Sequence, residues 1–207
     1  MSIVQTPTKD ALKQIQRIQT FTIAWMSAEA ALSLWAAWTA RSPALAAFGG
    51  DSTLELLSAV VVLWRFRTYA SERAEQVASR IAGGLLFALA AYVVLASAMS
   101  LAGYNQPKPS YLGMAVLMAA ALIMPVLAKE KRRLSALTGS AALRADAAES
   151  ALCAYLSIIA LMGLAVHAIW HIAWADPVAA LVITPLIVFE AREAIHGKAC
   201  GGCQQTN

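Results

Sequence analysis

Residues 82–103 read AGGLLFALAAYVVLASAMSLAG, a stretch that is apolar on every side of a helix. In a soluble bundle of helices, each helix has a polar face towards the solvent, and this stretch has none. Crossing the hydrocarbon core of a bilayer takes about 20 residues, which this stretch supplies. It therefore predicts a transmembrane helix.

Similar apolar stretches recur along the whole chain. Of its 207 residues, 59% are hydrophobic and 14% are charged, and the mean hydropathy is +0.61. In soluble domains, about a quarter of the residues are charged. We therefore expect an all-α polytopic membrane protein with six transmembrane helices, at roughly 18–40, 44–64, 79–103, 111–128, 142–170 and 177–195.

The distribution of basic residues predicts the orientation. With a cytoplasmic N-terminus, fourteen of the 16 Lys and Arg residues fall in inner segments, and only Arg41 and Lys108 fall in outer loops. This asymmetry follows the positive-inside rule and puts both termini in the cytoplasm. We expect a cytoplasmic N-terminal segment (1–17), a transmembrane domain (18–195) and a short cytoplasmic tail (196–207).

The polar segments bear on location and partners. The first 16 residues lack the apolar core and cleavage site of a signal peptide, so the first span is predicted to direct insertion into the cytoplasmic (inner or plasma) membrane. The basic run KEKRR (129–133) is predicted to be a topological anchor, with anionic lipid as an alternative contact. No basic patch is interleaved with aromatics, so we expect the lipid bilayer, and no nucleic acid, as a partner.

Two stretches spaced by 98 residues form a weak internal repeat. SPALAAFGGDSTLE (42–55) and SAALRADAAESALC (140–153) are identical at six positions. Each copy places two potential metal ligands one helical turn apart on one face. The alignment pairs these potential ligands between the copies: Asp51 with Glu149, and Glu55 with Cys153.

Neighbouring acids in apolar surroundings need a bound cation or a shared proton. Neutralisation of Asp51 and Glu55 by protons alone is the alternative to a metal site. Three carboxylates and one thiolate would complete a tetrahedral zinc shell, and the sulfur favours zinc or cadmium over magnesium or calcium. Because these ligands bind metal when deprotonated, protons would compete with the metal. Gly49 and Gly50 predict a close approach of another helix here.

Other acids lie in or near the spans, and their roles are open. Glu29 in the first span is either a proton carrier or accessory ligand, or a protonated carboxyl hydrogen-bonded to a neighbouring helix. Asp146 is an entry ligand, a partner of Arg144, or an acceptor that orients a ligand. Glu190 and Glu193 are predicted to lie at the inner interface.

Two pairs of soft or borderline ligands complete the set of candidates. His167 and His171, spaced i and i+4 at the outer end of the fifth span, either contact metal on the release side or belong to an aromatic belt. Cys200 and Cys203 form a CxxC pair that captures soft metal or acts as a redox pair. The sequence contains no glycine-rich phosphate loop, nucleophile elbow or HExxH, so we expect no enzyme.

Four segments resemble the cation diffusion facilitator family, whose members are six-span exporters of zinc and related divalent metals. The resemblance covers roughly residues 20–195. It implies proton-coupled alternating access, usually in a homodimer. LAAFGGDSTLELLSAVVVLWRF (45–66) resembles the family's second span, and SERAEQVASRIAGGL (71–85) resembles its loop into the third span. RADAAESALCAYLSIIALMG (144–163) resembles its fifth span, and WADPVAALVITPLIV (174–188) resembles its entry into the sixth.

The family's ligand positions fall on Asp51, Glu55, Glu149 and Cys153, where this chain replaces the usual His/Asp pairs with Asp/Glu and Glu/Cys. We expect a short form of the family without its cytoplasmic C-terminal domain, similar to a branch that includes a vertebrate vesicular zinc transporter. Dimerisation is then expected through the membrane spans. Two other functions stay open: a metal sensor or scaffold that does not transport, and a membrane thiol oxidoreductase using the CxxC.

Overall fold

The computed structural model describes residues 9–67, 72–104, 106–138 and 141–195, and within these ranges it contains six helices and no strand. The prediction of an all-α fold with six helices is confirmed. The CxxC pair, Cys200 and Cys203, lies outside the described residues. The helices are α1 (Lys9–Ala40), α2 (Pro43–Arg67), α3 (Glu72–Leu101), α4 (Tyr111–Thr138), α5 (Ala141–Trp170) and α6 (Ala175–Ile195).

The helices present large apolar side chains on the outside of the bundle. Trp38 is 85% exposed, and Leu95 and Leu122 are 65% and 67% exposed. Such a surface would associate in water, whereas lipid chains cover it. In the described part of the chain, three helices are long and apolar enough to cross a membrane, and the qualifying segments lie in α3, α4 and α5. In α1 and α2, buried acids interrupt the apolar sequence.

Three helices extend well beyond the predicted spans: α1 and α3 at their N-terminal ends, and α4 at its C-terminal end. α1 has 32 residues, about 48 Å at 1.5 Å per residue, which exceeds the ~30 Å hydrocarbon core. α4 continues to Thr138 and includes the basic run 129–133. Three of the four basic side chains in this run are exposed, but Lys131 is fully buried. The alternative of a contact with anionic lipid is therefore wrong for Lys131, while the role of the run as a topological anchor stays a prediction.

α2 lies at the centre of the bundle, since it contacts α1, α3, α5 and α6. Its first two turns, from Ala44 to Phe48, are buried against the main apolar core. The next residues are Gly49 and Gly50, and then Asp51. Well-packed apolar turns thus fix the position of the acids that follow them.

The glycine pair allows two neighbouring helices to approach α2 closely. A Cβ atom at Gly49 would lie 2.6 Å from Ser33 Oγ of α1, and one at Gly50 would collide with the side chain of Leu89 of α3. The predicted close approach at this pair is confirmed. By contrast, a Cβ atom at Gly84 of α3 would meet no atom within 4 Å.

We expect Gly49→Leu to destabilise the bundle by about 1–3 kcal/mol, because the new side chain forces α1 away from α2. The matched control is Gly84→Leu, which adds the same side chain in open space. Thermal unfolding of the purified chain in detergent measures both. Equal melting temperatures for the two variants would contradict the close packing of α1 on α2.

Candidate metal centre

The structure brings the four predicted ligands into one region. Asp51 and Glu55 lie on α2, and Glu149 and Cys153 lie on α5, which packs against it. Three of the four are buried and Glu149 is half-buried. Asp51 lies close enough to Glu55 and Glu149 for their negative charges to repel one another. The thiol of Cys153 is likewise within the range of the charges of Asp51 and Glu55. The two copies of the repeat therefore face each other across α2 and α5.

The side chains in this region do not form a ready coordination shell. Among the described residues, no group of three or more His, Cys, Asp or Glu side chains is placed to hold a metal ion. Hydrogen bonds and one buried ammonium group satisfy several of the carboxylates instead. Joint coordination by the four residues stays a prediction.

Glu29 connects α1 to both helices of the repeat. Trp25 Nε1 donates to Glu29 Oε2 at 2.6 Å, and Ser52 Oγ of α2 donates to Glu29 Oε1 at 2.8 Å. The thiol of Cys153 on α5 lies 3.6 Å from the same Oε1 atom. Glu29 therefore shows the predicted hydrogen bonding to neighbouring helices, while a role as proton carrier or accessory ligand stays a prediction.

The buried ammonium group of Lys131 lies beside this region. Lys131 Nζ of α4 lies 3.0 Å from Asp146 Oδ1 and donates to Ser150 Oγ at 2.7 Å. Ser150 Oγ in turn donates to Glu55 Oε1 at 2.6 Å. The ammonium nitrogen lies 3.9 Å from that Glu55 oxygen. One cation thus interacts with a carboxylate on each of α2 and α5.

Asp146 has partners on two other helices. Its Oδ2 atom accepts a hydrogen bond from Gln19 Nε2 of α1 at 2.7 Å, and its Oδ1 atom faces Lys131. Arg144 is exposed, because side chains two residues apart project in roughly opposite directions from a helix. The predicted alternative of an Asp146–Arg144 pair is therefore wrong. Of the other two roles, entry ligand or orienting acceptor, neither is tested.

Sequence reasoning missed two residues of the region. Glu190 of α6, predicted to lie at the interface, shares a side-chain hydrogen bond with Asp51, so that prediction is wrong. A charged residue near the end of a span is usually taken as interfacial, so nothing in the sequence indicated this contact. A usable signal did exist for Lys131, because it continues the 3- and 4-residue spacing of the apolar face of α4: Met124, Leu127, Ala128, Leu134 and Ser135.

The structure does not place the predicted histidine pair on one helical face. α5 ends at Trp170, and His171 follows it with a left-handed φ of 56°. His171 is exposed, whereas His167 is buried with Nδ1 3.1 Å from the carbonyl oxygen of Ile172. The i, i+4 geometry required for joint metal binding is therefore lost where the helix ends.

The chain is similar in sequence to a known family and to a known protein. Residues 20–196 match the model of the cation efflux transmembrane domain. The chain is 29% identical over 188 residues to the manganese efflux system protein MneS of Bacillus subtilis (strain 168). That alignment covers 86% of this chain and 64% of the relative, so the chain spans less than two thirds of the relative's length.

We expect Glu29→Ala to lower the free energy of unfolding by about 1–3 kcal/mol, because it leaves the part-buried Trp25 N–H without its acceptor and removes the hydrogen bond from Ser52 that joins α2 to α1. Glu29→Gln should lose less, since its amide oxygen still accepts one of these bonds. Thermal unfolding in detergent without added metal measures both, with the exposed Glu130→Ala as control. Equal losses for the Ala and Gln variants would show that these hydrogen bonds do not stabilise the bundle.

Proposed function

Because the chain belongs to the cation efflux family, we propose that it exports a divalent metal cation from the cytoplasm. The observation that carries the proposal is the facing of the two repeat copies, with Asp51 and Glu55 on α2 opposite Glu149 and Cys153 on α5. Buried carboxylates concentrate negative charge inside a helical bundle. A divalent cation is the partner that such a set of charges is suited to bind.

The proposed ligands are these four residues, with the Glu190 carboxylate of α6 beside Asp51. Each must be deprotonated to coordinate metal, so proton entry would expel the ion and metal entry would release protons. This competition gives a proton-coupled exchange by alternating access that requires no nucleotide. We propose that the protein works in the cytoplasmic (inner or plasma) membrane, as a homodimer formed through its transmembrane helices.

The chemistry of the ligands bears on the choice of metal. A thiolate ligand favours zinc or cadmium, so Cys153 makes zinc the proposed substrate. Manganese is the second candidate, because the relative is named as a manganese efflux protein and because the remaining proposed ligands are carboxylates, which suit manganese. Cys153 is therefore the residue expected to determine selectivity.

We expect proteoliposomes containing the intact chain to take up zinc in a manner that follows an imposed proton gradient. Asp51→Ala should abolish uptake, because it removes a central ligand and the partner of Glu190. The matched control is Glu130→Gln, which neutralises an acid at the surface of α4 and should transport normally.

Two outcomes of this measurement would contradict the proposal. Normal transport by Asp51→Ala would mean that the centre lies elsewhere. Zinc and manganese binding without uptake by the intact chain would favour a sensor or scaffold over an exporter.

We expect Cys153→Asp to shift the preference of the protein from zinc towards manganese by at least about tenfold, because the substitution replaces the soft sulfur donor with a hard oxygen. The ratio of zinc to manganese uptake, measured with both metals present, gives the shift. Cys153→Ser provides a control of similar size without the charge. An unchanged ratio in the Asp variant would show that Cys153 does not select the metal.

A further inference from the structure

Lys131 is a buried cation that the proposed exchange does not use. Its side chain is fully buried, while its basic neighbours Lys129, Arg132 and Arg133 are exposed. Removing an ammonium group from water is costly unless opposite charge compensates for it. The compensation comes from α5 and α2, through Asp146 and Glu55.

The contacts of Lys131 direct its charge towards a proposed ligand. Asp146 is held by Gln19 on one oxygen and by Lys131 on the other, and Ser150 bridges the ammonium group to Glu55 Oε1. The other carboxylate oxygen of Glu55, Oε2, is buried and has no hydrogen-bond partner among the described residues. One oxygen of Glu55 therefore belongs to the lysine network, and the other has capacity for a further ligand.

We propose that Lys131 is a tethered cation that competes with the transported metal for Glu55. This inference rests on the proposed function. When no metal is bound, the ammonium group neutralises Glu55 from the α4 side. When metal binds the Oε2 atom of Glu55, its charge repels Lys131, and the interaction of Lys131 with Oε1 lowers the negative charge that Glu55 offers to the metal. Lys131 thereby weakens metal binding and favours metal release, so it acts as a positioning residue and not as a ligand.

The two buried glutamates Glu29 and Glu55 differ in the groups that interact with them. Glu29, on the α1 side, receives neutral donors from Trp25 and Ser52. Glu55, by contrast, interacts with a charged group, since Lys131 Nζ lies 3.9 Å from its Oε1 atom. A charge on α4 therefore acts on one member of the α2 ligand pair, which gives α4 a direct influence on how strongly the site holds a cation.

The test compares Lys131→Met, which removes the charge and keeps most of the volume, with Lys131→Arg, which keeps the charge. We expect Lys131→Met to bind zinc at least about tenfold more tightly, because a like charge within a few ångströms of the site is removed. Its KM for zinc uptake and its maximal rate should both fall. Lys131→Arg should stay close to the intact chain, as should the exposed control Lys129→Met.

Binding is measured on the full chain in detergent at about pH 8, where protons compete least, with zinc and manganese each titrated against a chromophoric chelator. A second variant, Lys131→Met with Asp146→Asn, removes both members of the ion pair and carries the test if the single variant does not fold. Tight binding should persist in it. If Lys131 served only to pair with Asp146, the double variant would return to the affinity of the intact chain.

The role of Lys131 would be overturned if zinc binding were unchanged or weaker in Lys131→Met and in the double variant. The proposed function would still stand, provided that the intact chain binds and takes up metal normally. Failure of the intact chain to bind zinc or manganese would overturn the proposed function and this inference together. Measurements on the intact chain thus test the proposed function, and the comparison of variants tests the role of Lys131.

Discussion

Carboxylates buried among apolar helices must find hydrogen-bond donors or opposite charge, and this constraint shapes the centre of the bundle. An unpaired charge in apolar surroundings is costly. Glu29, Glu55 and Asp146 each meet the constraint with donors from other helices. As a result, α1, α2, α4 and α5 are joined by polar contacts at the level of the candidate site.

The serines of the repeat have a structural role beside the acids. Ser52 and Ser150 occupy equivalent positions in the two copies, and each donates to a carboxylate on a different helix: Ser52 to Glu29 and Ser150 to Glu55. A hydroxyl group is both donor and acceptor, so Ser150 also accepts from Lys131. The repeat therefore supplies potential ligands together with the groups that hold neighbouring acids in place.

The predictions succeeded where a single helix decides the outcome. Apolar blocks of membrane-spanning length predicted the six helices, and Gly49 and Gly50 predicted a close helix approach. They failed where the partner lies on another helix or the helix ends. Lys131 and Glu190 resembled interfacial charges, and only packing turns them towards Glu55 and Asp51. The His167–His171 spacing suggested a shared face, but α5 ends between them.

The sequence by itself determined that this is an all-α membrane protein of the cation efflux family, with two copies of an acid-containing motif. The membrane class and the motif depend on composition, periodicity and spacing, which are local properties of the chain, whereas the family was indicated by the resemblance of four segments. Tertiary structure decided which acids are neighbours, that Asp146 pairs with Lys131 and not with Arg144, and that α6 contributes Glu190. Those contacts depend on the rotation of each helix about its axis, which is fixed by packing against several other helices at once.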